Sequence, residues 1–138
     1  MIPKTREDLE KIIADFNQFT ELISKFKEIV DSGKLAEFYC SRLFDLKLVR
    51  PRNSNIDAIG PKGERIEIKH RFYSGKIPPG MKINLHNIDY VFYVELDDNL
   101  LPNRIFKIKS NDIDYTTGKR VSFKRAFNEN KVELVFQS

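Results

Sequence analysis

Apolar residues recur at steps of three and four along the first quarter of the chain: Leu9, Ile12, Phe16, Phe19, Ile23, Phe26 and Val30. That spacing is a heptad seam and predicts one long helix over about 6–31. Thr5 with Asp8 three residues on is an N-cap signature, and Gly33 stands where a C-cap glycine belongs. Ile13, Leu22 and Ile29 widen the stripe beyond a two-stranded seam, so two modes of burial are open. The helix packs on the body of the protein, or it pairs with a second copy as a homodimer. A second helix is expected over about 34–46. There Leu35, Ala36, Tyr39, Cys40, Leu43, Phe44 and Leu46 fill one half of the helical wheel, with Glu37 at its rim.

From Lys47 the period changes to two. Short strands are expected at 47–50, 56–59 and 65–69, the last running on toward Phe72. Gly60-Pro61-Lys62-Gly63 between the second and third reads as a hairpin turn. Residues 74–88, with Gly75 and Pro78-Pro79-Gly80, have a loop composition. Asp89 to Leu96 is nearly all apolar and β-favouring, as in a strand covered on both faces. Asp97-Asp98-Asn99 turns the chain into a strand at 104–109. A weak strand or short helix at 121–127 and a last strand at 132–136 follow.

At 138 residues the chain has the size of a single domain, expected as an N-terminal helix (1–32), a core (33–109) and a C-terminal extension (110–138). No apolar run approaches the ~20 residues of a membrane span, and the first residues lack a signal-peptide core. With Cys40 as the only cysteine there is no intrachain disulfide, and a cytoplasmic protein is expected. Residues 1–33 carry five Lys/Arg against seven Asp/Glu, whereas 34–138 carry nineteen against thirteen. The basic excess therefore belongs to the later part, which suits a polyanionic partner such as nucleic acid.

The tight turn at 60–63 brings Asp57 close to Glu67, and alternation sets Glu67 and Lys69 on one strand face with Ile66 and Ile68 on the other. Mg²⁺ takes oxygen ligands, commonly one or two carboxylates with waters and phosphate oxygens. Asp57 and Glu67 can supply those carboxylates, the Ile68 carbonyl a further oxygen, and Glu37 an anchor for a metal-bound water or a second ion. Lys69 can hold or deprotonate a water and stabilise charge developing on phosphorus.

Asp57, nine residues, then Glu67-Ile68-Lys69, preceded by Gly33-x-x-x-Glu37 on a helix, resembles the PD-(D/E)XK, restriction-endonuclease-like family. The resemblance covers about 33–109. It implies an α/β (α+β) fold with a mixed central sheet flanked by helices: a helix, a three-stranded meander, a helix and a further strand, here with an extra long N-terminal helix. It further implies a Mg²⁺- or Mn²⁺-dependent nuclease with Glu37, Asp57, Glu67 and Lys69 as its site, acting on nucleic acid with DNA the expected substrate. A non-catalytic nucleic-acid- or protein-binding module of the same fold is the alternative. Ile56 stands where the family name calls for proline, and Pro78-Pro79-Gly80 falls where the second core helix belongs. Arg50, Arg52, Lys76 and Lys82 are the expected phosphate contacts, with Lys107, Lys109, Lys119, Arg120, Lys124 and Arg125 extending the basic surface. His70 alternates onto the Ile66/Ile68 face and is expected to pack there; two histidines and one cysteine offer no zinc cluster.

Overall fold

The structure, a computed structural model, describes residues 2–49, 56–73 and 80–138. Strand β1 (Lys4–Thr5) leads into α1 (Arg6–Ile12), α2 (Phe16–Phe26) and α3 (Ser32–Phe44). Then come β2 (Lys47–Leu48), β3 (Ala58–Ile59), β4 (Arg65–Phe72), β5 (Met81–Lys82), β6 (Tyr90–Leu96) and β7 (Pro102–Lys109). A 3-10 turn at Ser110–Asp112, β8 (Asp114–Thr117), β9 (Arg120–Ser122), α4 (Lys124–Asn128) and β10 (Val132–Gln137) complete the chain. The fold is a mixed α+β one. A seven-stranded mixed sheet has the order β1-β10-β7-β6-β4-β3-β2, and a three-stranded sheet the order β5-β9-β8.

The single long helix expected over 6–31 is two helices. Asp15 adopts a left-handed backbone (φ 49°) and its carboxylate accepts from the Gln18 N–H, which starts α2 afresh. Asp is among the few residues that enter this region readily, so a cap outcompetes continuation of the helix. The seam is correspondingly uneven. Leu9 and Ile23 are buried, Ile12, Phe16, Phe19 and Val30 partly so, and Phe26 is half-exposed. The following helix begins at Ser32, capped by Asp31, whose carboxylate accepts from the Lys34 N–H. Gly33 therefore lies in the first turn of α3 and caps nothing.

Helices α1 to α3 cover one face of the large sheet. Tyr39, Cys40 and Leu43 of α3 pack with Ile66, Ile68, Phe92 and Val94 of the strands in one apolar core. Tyr39 donates its hydroxyl proton to the Leu100 carbonyl (2.8 Å), which gives this buried phenol its partner. Residues 110–138 build the second face. Val121, Phe123 and Ala126 pack against Val91, Tyr93, Phe106 and Ile108, with Met81 and Ile83 from the segment leading into β6. The β10 strand enters the large sheet beside β7.

Strands β4 and β6 run parallel, whereas β3 and β4 are antiparallel and joined by the turn at 60–63. Gly63 takes φ +82° there, which a side chain would strain. The described part of the β4–β6 crossover contains β5 and no helix. It is stitched to β9 through Met81↔Val121 and Lys82↔Arg120. Gly80 permits this approach, since a Cβ there would sit 2.9 Å from the Val121 carbonyl oxygen.

Candidate active site

Strand β3 pairs with β4 only through Ala58↔Ile66 and Ile59↔Arg65. Past that point the β4 edge, from Glu67 to Phe72, lines a cleft of about 800 Å³. Gly33 and Glu37 of α3 form one wall, Met81 and Lys82 of β5 another, and Asp57 closes the end. The cleft exists because β3 is short and α3 and β5 flank the same stretch of β4 from different sides.

Asp57 is fixed by the sheet. Its N–H donates to the Ile66 carbonyl (2.9 Å), and its Oδ2 accepts from the Ile68 N–H (2.8 Å). An extended residue directs its N–H and C=O to the same side of the strand, so the Ile68 carbonyl faces the cleft as well. Lys69 Nζ lies 3.2 Å from Glu67 Oε1, and Asp57 is close enough for its charge to act on Glu67. Of the residues singled out in the sequence, Glu37, Asp57, Glu67, Lys69 and Lys82 are thus brought to one cleft. Arg50, Arg52 and Lys76 lie outside the described residues.

The electrostatics are those of crowded carboxylates. Burial, and then the neighbouring Asp57, push the Glu67 pKa up to about 7. Burial raises Asp57 as well, opposed by the Ile68 N–H and by Lys69. Glu37 is raised by burial first, then by the charges of Asp57 and Asp31. Three acids, all raised by burial and two of them also by a neighbouring carboxylate, crowd the end of the cleft at Asp57. Among the described residues no three His, Cys, Asp or Glu side chains form a ready-made metal cage. Two carboxylates and a facing carbonyl nevertheless fit a hard divalent cation that keeps most of its waters.

His70 lies on the α3 side of β4, half-buried, with Nε2 2.9 Å from Ser32 Oγ. Burial lowers its pKa, and the contact ties the start of α3 to the strand that carries the carboxylates. Arg71, which continues the Glu67–Lys69 alternation, and the neighbouring Phe72 line the cleft too, although no motif in the sequence marks them. Extending the period of two by one step finds Arg71.

Comparison with models of known protein families and with curated proteins gives no match.

Proposed function

We propose that this chain is a metal-dependent nuclease with a restriction-endonuclease-like core, hydrolysing phosphodiester bonds in nucleic acid, DNA first among the candidates. The observation that carries the reading is the meeting of Asp57, Glu67 and Lys69 with Glu37 in one cleft. The order of elements also supports it. A helix (α3), a meander (β2, β3, β4) and a strand parallel to β4 (β6) follow in the family's sequence. Where the family has its second core helix, this chain has the small β5-β9-β8 sheet and α4 packed on the same sheet face.

In this reading Asp57, Glu67 and the Ile68 carbonyl hold Mg²⁺ or Mn²⁺. The ion supplies Lewis-acid charge at the phosphodiester and makes a bound water more acidic. Asp57 is preorganised for the task by its bond to the Ile68 N–H. Lys69, 3.2 Å from Glu67, would stand beside such an ion with its ammonium available to the attacking water and to the charge gathering on the phosphoryl oxygens. Glu37 accepts a hydrogen bond from a water on the α3 side.

The Lys69–Glu67 ion pair favours a second reading, a module of the same fold that binds without cutting. The discriminating experiment incubates labelled DNA and RNA, single-stranded and duplex, with Mg²⁺, Mn²⁺ or EDTA. The nuclease reading expects metal-dependent cleavage that Asp57→Ala abolishes. Intact substrate in every metal condition assigns the protein to the binding class.

A further inference from the structure

Beyond Lys69 the cleft changes character. Arg71 shares the strand face of Glu67 and Lys69, and then Phe72 and Tyr73 stand 56% and 52% exposed at the end of the strand. The two rings leave the strand on opposite faces: Phe72, on the His70 side, lines the cleft, whereas Tyr73, on the Arg71 side, lies outside its lining. Tyr73 is held firmly by its neighbours. Its N–H donates to the Leu96 carbonyl (2.9 Å), and the Arg104 guanidinium lies 5.3 Å from its ring centroid. Arg104 is locked in turn by a two-pronged bond to the buried Glu95.

Across the cleft, Lys82 and Arg120 are register partners on the exposed side of the small sheet, with Val121 beside them turned into the core. Arg120 donates to the Gly80 carbonyl (2.7 Å), and Arg71 reaches the same oxygen (3.5 Å). Among the described residues no carboxylate lies within ion-pair distance of Arg71, Lys82 or Arg120. Cations of this kind suit phosphates, and fixed rings suit bases. In a duplex the base faces are already stacked on one another and closed to side chains. An exposed ring in the cleft, that of Phe72, serves a strand whose bases are unpaired.

We infer that the cleft takes single-stranded nucleic acid, a free end or an unpaired segment, with a base stacked on Phe72 and the backbone along Lys82 and Arg120. This deepens the nuclease reading and rests on it for the position of the cut strand, but not for binding.

The test measures fluorescence anisotropy of labelled oligothymidine, and of the same strand annealed to oligoadenine, with the full chain in EDTA. Cleavage in Mg²⁺ is followed in parallel. Single-strand affinity is expected to exceed duplex affinity. Phe72→Leu should weaken it by roughly 5- to 150-fold, the equivalent of one lost base stack. Phe72→Trp should restore it, which separates stacking from a general loss of apolar surface. Lys82→Gln should reduce the dependence of log affinity on log salt by about one phosphate contact. Equal or tighter duplex binding, or Phe72→Leu binding like the wild type, overturns the inference; cleavage of duplex alongside would leave the nuclease reading standing. Single-strand binding that needs Phe72 but leads to no cleavage in Mg²⁺ or Mn²⁺ keeps the inference and removes the nuclease. Absence of binding to either form overturns the inference outright.

Discussion

Two carboxylates on neighbouring strands, on the same face of one sheet, have opposite circumstances. Glu95 of β6 is 2% exposed, and both its oxygens are met by the Arg104 fork. Glu67 of β4 faces another carboxylate, Asp57, and shares one lysine with it. Glu95 is neutralised within the protein, and its pair with Arg104 tightens the sheet where β6 meets β7. Glu67 faces that second carboxylate across the site, and burial together with Asp57 keeps its pKa raised despite Lys69. The difference separates a buried charge that serves the fold from one that keeps a place for a ligand.

Breaking the satisfied pair should have the largest effect. Arg104→Ala strands Glu95 without a cation and removes the plate beneath Tyr73, and about 3 kcal/mol of stability should be lost in urea titration. Arg104→Met combined with Glu95→Gln should recover most of it, because the cost lies in the orphaned charge. Next comes Lys69→Ala. On the nuclease reading it lowers the cleavage rate by about 10²–10³-fold in single-turnover assays, leaving folding and metal affinity nearly unchanged. Cleavage equal to that of the wild type would remove Lys69 from the site.

Glu67 sharpens the comparison with the opposite sign. Its folded pKa, about 7, lies above its unfolded value. The folded state therefore binds the extra proton, and Glu67 costs the metal-free protein stability as pH rises through that range. Glu67→Gln should raise the melting temperature at pH 8, worth about 1–2 kcal/mol after allowance for solvent screening, and have little effect at pH 4. A loss of stability at pH 8 would mean that the Lys69 contact outweighs the crowding. Smallest in effect, Mg²⁺ added at pH 8 should raise the melting temperature of the wild type and not of Glu67→Gln. The gain should fade toward pH 6 as protons compete for the carboxylates.

The carboxylate site was legible because its geometry is local. Asp57, Glu67 and Lys69 belong to one hairpin, and alternation alone sorts Glu67 and Lys69 from Ile66 and Ile68. Helix α3 was readable for a similar reason, its buried side being a continuous half-wheel. The break at Asp15 escaped notice because the apolar steps run through it without interruption. The signal was there in Asp15 with Gln18 three residues on, a capping pattern inside an apparently unbroken helix. Of the small sheet only the region 121–127 is marked in the sequence, as a weak strand or short helix where β9 and α4 stand, and its pairing is not marked at all. Its strands are two to four residues long, and the pairing of Met81 with Val121 joins distant segments that carry no periodic mark of each other. Lys82 could be named as a cation, but its neighbour Arg120 follows from that pairing alone.

The β10 strand raises a different question, that of an unguarded rim. Its inner side is occupied by β7, while among the described residues β1 covers its outer side at Phe136 and Gln137 alone. An open row of amides and carbonyls on an apolar strand invites a second molecule to add on, the first step toward polymerisation. The register shift between Leu134 and Phe136 twists this strand out of line. The β1 pairing at its far end does the rest. These two features keep the rim from serving as a template, with Lys4 and Thr5 as a short cap over its last turn of hydrogen bonds.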